Sequence, residues 1–190
     1  LLPHLVFVSP TEPLLAYLTV TMLAGMIVSM PVLLWQVWGF IRRGLTPRER
    51  TLGVTFVWWG SALFAAGVAV AYYGILPVSL NYLLGMGRDT LEPMISIRTY
   101  LSFVTTIMWW CGLVFELPLV LWMLATVGVV TSEWLRQQRP YAILALVILA
   151  AVITPTTDPI NLLLMAIPMV LLYEMSIFIT RVAIRRRSAT

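Results

Sequence analysis

The stretch Leu101–Val127 holds 27 residues and a single charge, Glu116. As a helix rising about 1.5 Å per residue it is about 40 Å long, enough to cross a hydrocarbon core of about 30 Å with some tilt. Glu116 then lies about 22 Å from one end and about 17 Å from the other, near the middle of a bilayer. An acid at that depth costs about 2.5–3.5 kcal/mol on insertion scales. The chain must offset this with a cavity, a polar partner or another chain. Few folds allow such a segment, and the rest of the sequence narrows the choice.

The 190 residues are 61% hydrophobic and 11% charged, with a mean hydropathy of +0.94. The apolar residues come in blocks too long for buried core helices of a soluble domain. Short alternating segments typical of a membrane β-barrel are absent. The sequence therefore predicts an all-α, polytopic α-helical membrane protein forming one domain over residues 1–190. All twelve basic residues are arginine. The net charge of +4 acquires meaning only from where those arginines fall; it does not argue for a nucleic-acid partner. Cys111 is the single cysteine and sits in the Glu116 span, which leaves it a packing role.

Five spans follow in order. Residues 1–13 are short and broken by proline, and Pro13 suits the first turn of the helix after it. The first span covers Leu14–Ile41, with Tyr17 at one interface, Trp35 and Trp38 at the other, and Pro31 inside. Met22, Gly25, Ser29, Val32 and Gln36 recur at helical spacing and predict a packing seam. The second span covers Leu52–Leu76, and Pro77 is expected to end it. Its Gly53, Gly60, Gly67 and Gly74 recur every seven residues and make a stripe against which another helix can lie closely. Residues 78–99 read as an outer segment with a short surface helix broken at Gly85-Met86-Gly87.

The third span carries Glu116. Ser102, Thr105, Trp109 and Gly112 share its face, so a polar or small stripe descends to the acid from the outer side, and Pro118 loosens the backbone beside it. Thr131 is placed to cap a new helix, with Glu133 in its first turn and Val130 able to staple to Leu135. The fourth span, Tyr141–Ile153, has 13 residues and about 20 Å of length, short of a core of about 30 Å. The fifth, Ile160–Ile179, contains Pro168 and a Glu174 expected to reach water at the inner end.

Ten of the twelve arginines fall in three segments: 42–50, 136–139 and 181–187. The positive-inside bias puts those segments in the cytoplasm, and the C-terminus with them. Five spans then place Leu1 outside. We therefore expect six spans in the native protein, with an earlier span missing from these 190 residues.

Catalytic motifs are absent. His4 is the one histidine and lies outside the spans; no zinc-binding, nucleophile-elbow or phosphate-loop pattern occurs, so neither enzymatic activity nor a metal or other cofactor is expected. Three acids remain as candidates. Glu49 lies among arginines in the first cytoplasmic loop, either as a solvated counter-charge or as a carboxylate for a bidentate guanidinium. Glu116 lies in mid-membrane, where acids are functional by default. Asp158, in the turn after the short span, suits an N-cap as well as a functional role.

Several stretches, in order, resemble the TatC family, the multi-spanning receptor subunit of the twin-arginine protein translocase. They are Ser9-Pro10-Thr11-Glu12-Pro13, Pro31 through Trp38 with Phe40, Gly44-Leu45, Arg48-Glu49-Arg50, Tyr100 through Val104, and Gly112 with Phe115-Glu116-Leu117-Pro118. They continue as Arg136, Arg139-Pro140-Tyr141, Thr154-Pro155, Asp158-Pro159, Ala166-Ile167-Pro168 and Tyr173-Glu174. The resemblance implies a six-helix concave bundle in a bacterial plasma membrane, or an archaeal or organellar one. It implies a receptor, oligomeric within its complex, that binds twin-arginine signal peptides of folded cargo and recruits TatA/TatB-type single-span partners. It also implies export driven by the proton-motive force without nucleotide hydrolysis.

By the same resemblance Glu49 matches the glutamate that pairs with the twin arginines, and Arg50 its basic neighbour. Glu116 matches the groove-facing glutamate that receives partner helices. Thr154 and Asp158 match the partner site around the turn. The chain departs from the family pattern at Arg42-Arg43, where many members have Ala-Pro. The turn from Thr154 to Asp158 is one residue longer than usual. Leu162 replaces a common glutamine, with Asn161 beside it as a substitute. A competing reading, from the residues alone, is a proton-coupled transporter of small solutes using Glu116. It calls for a second intramembrane ionisable group and an internal repeat, and the sequence offers neither.

Overall fold

A computed structural model describes residues 5–6, 9–42, 53–85, 95–154 and 158–187. The elements are β1 (Leu5–Val6), α1 (Glu12–Ile41), α2 (Gly53–Val70), a π-helical turn (Ala71–Ile75), α3 (Leu76–Gly85) and β2 (Ile95–Ser96). Then come α4 (Ile97–Phe115), α5 (Leu117–Val127), α6 (Ser132–Gln137), α7 (Arg139–Ile153) and α8 (Pro159–Arg187). Glu12–Ile41, Gly53–Gly85, Ile97–Thr126 and Pro159–Arg181 are each long and apolar enough to cross a membrane, and Arg139–Ile153 is the short apolar helix. The predicted spans are all present, with the fourth short as expected.

Pro77 does not end the second span. The helical rod continues through it to Gly85. A proline has no N–H and its ring crowds the carbonyl four residues back. The π turn just before it widens the helix, so that the Leu76 N–H bonds to the Ala71 carbonyl five residues back. Pro77 then enters as an early residue of a new α-helical stretch, where its missing donor costs little. The described helix reaches Gly85, and the rest of the predicted break, Met86-Gly87, lies outside the described residues. One pairing had no signal in the sequence: β1 and β2 form a two-residue parallel ladder, Leu5 opposite Ile95 and Val6 opposite Ser96.

α2 packs against α1, α4 and α5, and α8 packs against α5 and α7. Two apolar clusters result. One gathers residues of α4, α7 and α8, including Ile107, Ala150, Met165 and Met169, with Ala71 and Ile75 of the π turn. Cys111 is buried in it, its sulfur 3.5 Å from that of Met165, which agrees with a packing role. The other joins α1, α2 and α5 through Met30, Leu34, Trp38, Phe56, Phe64 and Leu119. The Trp38 and Phe56 rings lie 5.2 Å apart in this second cluster.

The buried face of α1 is Met30, Leu34 and Trp38. The predicted seam is therefore misplaced: Met22, Gly25, Val32 and Gln36 are exposed, and no atom comes within 4 Å of where a Gly25 Cβ would stand. The spacing was helical, but periodicity does not say which neighbour a face meets.

The glycine stripe of α2 does pack, over three of its four positions. A Cβ on Gly60 would stand 2.5 Å from Leu34 Cδ1 and 2.8 Å from Leu119 Cδ2. On Gly67 it would stand 2.7 Å from the Cys111 carbonyl oxygen. Gly53 is pressed by the Trp38 indole, while Gly74 faces open space. The contact at Gly67 is with backbone, which cannot swing aside. Gly67→Val should therefore destabilise the bundle by about 1–3 kcal/mol through overpacking, and Gly74→Ala should leave it unchanged or better. Thermal unfolding of the purified chain in detergent, followed by circular dichroism, should show a lower Tm for the first variant alone.

Candidate functional site

Glu116 lies at a break between helices. Pro118 cannot donate to the Val114 carbonyl, so the α-helical ladder fails there. The Glu116 N–H turns instead to the Leu113 carbonyl at 3.1 Å, and its own carbonyl accepts from Val120 N–H at 2.9 Å to start α5. The single helix expected over Leu101–Val127 is thus two helices meeting at the acid, and the first begins earlier, at Ile97.

The break falls where the two apolar clusters meet. Val114 belongs to one and Leu119 to the other. The Glu116 side chain is only 6% exposed, and among the described residues neither carboxylate oxygen has a hydrogen-bond partner. Its neighbour across the interface is Gly60, whose Cβ, if present, would stand 3.2 Å from Oε2. A carboxylate pressed to a mid-helix glycine meets backbone N–H groups already used within the helix. It therefore remains an open acceptor.

The stripe above the acid is not a polar path. Ser102 is exposed, Thr105 and Trp109 are half-buried, and Gly112 and Glu116 are buried. The Thr105 hydroxyl donates back to the Leu101 carbonyl at 2.7 Å. Phe64 lies across the stripe, edge-on to Trp109 with centroids 6.0 Å apart, and a Cβ on Gly112 would stand 2.6 Å from its ring. An aromatic plug from α2 thus separates Glu116 from the outer end of its own helix face.

The residues after the short span form a second polar spot. Thr154 is buried at the end of α7, and both its N–H and its hydroxyl donate to the Ala150 carbonyl. Asp158 caps α8. Its Oδ2 accepts from Asn161 N–H at 2.9 Å and its Oδ1 from the Asn161 side-chain amide at 3.0 Å. Asn161 is 2% exposed and accepts in turn from the Ser79 hydroxyl on α3, itself 1% exposed. Ser79 is a site residue that the sequence gave no reason to single out, since its partner lies 82 positions away.

A third feature lies at the arginine-rich end. Arg139 Nη2 donates to Glu174 Oε2 at 2.5 Å, with 41% and 37% of the two side chains exposed. Glu174 is thus ion-paired rather than simply hydrated. Beside it, the Tyr173 hydroxyl donates to the Leu135 carbonyl at 2.9 Å, tying α8 to α6. Thr131 caps α6 as predicted, accepting from Trp134 N–H at 3.2 Å, and Val130 and Leu135 are buried in one cluster.

Glu49 and Arg50 lie outside the described residues. Among the described residues Glu116 shares no hydrogen bond with Thr154 or Asp158, so the two polar spots are not linked by one. Among the described residues no three His, Cys, Asp or Glu side chains gather as a metal site requires.

Long apolar helices, one short helix and a carboxylate held at a helix break without a donor define a polytopic α-helical membrane protein built around a buried acid. The family described as Sec-independent protein translocase protein (TatC) matches residues 2–168. The TatC protein of Carboxydothermus hydrogenoformans is 40% identical over 177 residues, covering 93% of this chain and 73% of the relative. That of Aquifex aeolicus is 38% identical over 186 residues, covering 97% and 77%. A crystal structure of the twin arginine translocase receptor TatC superposes with a TM-score of 0.82 at 38% identity, covering 94% of this chain and 78% of that one. The chain belongs to the TatC family, as the ordered motifs implied.

Because the buried carboxylate has no donor, its removal should relieve the fold. Glu116→Gln is expected to raise stability in detergent by about 1 kcal/mol or more, since an amide is cheaper to bury than an unpaired acid. Thermal unfolding beside the unaltered protein measures this; a fall in Tm would mean that the acid is held by a partner.

Proposed function

We propose that this chain is a receptor and scaffold subunit of a twin-arginine translocase. It binds twin-arginine signal peptides of folded cargo at the cytoplasmic face and recruits TatA/TatB-type single-span partners within the membrane. Export is driven by the proton-motive force, and the chain contributes binding rather than catalysis or a cofactor. In this reading it resides in the bacterial plasma membrane with its C-terminus in the cytoplasm, and several copies share one receptor complex.

The observation that carries the reading is the state of Glu116. It is buried at mid-span and, among the described residues, lacks any donor of its own. A docking helix that brings a hydroxyl, amide or indole N–H would satisfy it, so the acid favours occupied over empty grooves. Thr154 and Asp158 would present the second docking spot, with Asn161 in the role of the usual glutamine. A proton relay fits less well, because the Phe64 plug closes the outer side of the Glu116 face.

Cargo recognition falls to Glu49 with Arg50 beside it. A carboxylate takes a guanidinium through two parallel bonds, a geometry that lysine lacks. Glu49→Gln should weaken binding of a peptide with paired arginines by about tenfold or more, and replacing those arginines by lysine should weaken it similarly. Fluorescence anisotropy with the purified receptor checks both. Unchanged affinities would place recognition elsewhere. A photo-crosslinker at Val120, exposed one turn beyond Glu116, should capture a single-span partner in membranes.

A further inference from the structure

We propose that Ser79 is a positioning residue for the docking spot at the start of α8, orienting the Asp158 carboxylate through the Asn161 amide. The inference rests on the receptor reading, which puts that spot at Thr154 and Asp158. It adds a residue from α3, a helix to which that reading gives no part.

Ser79 is out of character for its surroundings. Ala71, Ile75 and Ser79 recur every four residues and are all buried, so they form one face. Ala71 and Ile75 pack in the apolar cluster with α4 and α8. A hydroxyl in the third place adds nothing to such packing, and burying it is costly unless it is bonded. Within a helix the ready partner is the carbonyl four residues back, and Ser61, Thr105 and Ser176 all take it. Ser79 instead donates across to Asn161 Oδ1 on α8.

The chemistry fixes the direction of this relay. An ionised carboxylate only accepts, so the Asn161 amide must turn its nitrogen toward Asp158, and it does so at 3.0 Å from Oδ1. The amide oxygen then faces α3, where a hydroxyl can donate and an alanine could not. The Asn161 backbone N–H holds Oδ2 at 2.9 Å. Both carboxylate oxygens are thereby oriented. Ser79 and Asn161 are buried and Asp158 is half-buried, so the carboxylate is the part of the relay that a docking helix can reach. Without the hydroxyl, the amide oxygen is left without that donor, and the amide is free to rotate away from Oδ1. The backbone bond to Oδ2 remains. The cap of α8 then survives while the carboxylate loses its fixed direction.

The test is photo-crosslinking of the full chain in membranes that contain a TatA/TatB-type single-span partner. The probe stands at Ile160, exposed beside Asp158, or at Val120, exposed beyond Glu116. Ser79→Ala should reduce capture at Ile160 by about fivefold, the effect of one lost hydrogen bond, and leave capture at Val120 unchanged. Ser79→Thr, which keeps the hydroxyl, should restore capture at Ile160. Ile75→Val removes one methylene from the same face a turn earlier; it should lower the Tm without lowering that capture. Capture at Ile160 that survives Ser79→Ala, or that falls as far with Ile75→Val, would overturn the proposal. Capture at Val120 alone in the unaltered chain would overturn it too, while leaving the receptor reading standing. Capture at neither position would overturn both.

Discussion

The bundle depends on the close approach of one backbone to its neighbours. Along α2, glycines every seven residues leave no side chain between its backbone and α1, α4 or α5. In a bilayer, where lipid tails compete equally for apolar contact, this kind of packing is what holds helices together. It also has a cost at one place. At Gly60 the neighbour is Glu116, and a helical backbone has no spare donor to offer. The same stripe that makes the fold compact leaves the acid unsatisfied.

Prolines then decide where helices bend and where they begin. Pro13 and Pro159 stand at helix starts, where a missing N–H removes nothing. Pro118 breaks a span at Glu116. Pro77 neither starts nor ends a rod, because a π turn takes up the misfit. A bulge of this kind depends on tertiary contacts: Ala71 and Ile75 of the π turn are both buried in the cluster with α4 and α8. From the sequence, a break was the natural expectation.

This explains how much could be read in advance. The number and order of the described spans, the short fourth span, the Thr131 cap and the packing use of Gly60 and Gly67 follow from local composition and spacing, and these were legible. The family was legible too, through motifs in order. What escaped were pairings across long separations: Ser79 with Asn161, Arg139 with Glu174, and β1 with β2. Each member of these pairs is ordinary in its own stretch, and only the fold makes it specific. The α1 seam failed for a related reason, since the same spacing serves a buried face and a face turned to lipid. The Phe64 plug was hidden in the same way, being supplied from a different helix than the stripe it closes.

The two polar spots differ in how they are balanced, and the difference suits their positions. The α7 helix has 15 residues, about 22 Å, so its end lies inside the thickness of a bilayer core of about 30 Å. Polar groups there must be satisfied from within, and they are: Thr154 bonds back to Ala150, and Asp158, Asn161 and Ser79 bind one another. The described polar groups after the short span are thus paired, and bilayer thinning around it would follow from its length. Glu116 has no such closure. A satisfied network shapes a surface whatever is bound there. An open acceptor changes energy with occupancy, as the proposed docking of another helix requires.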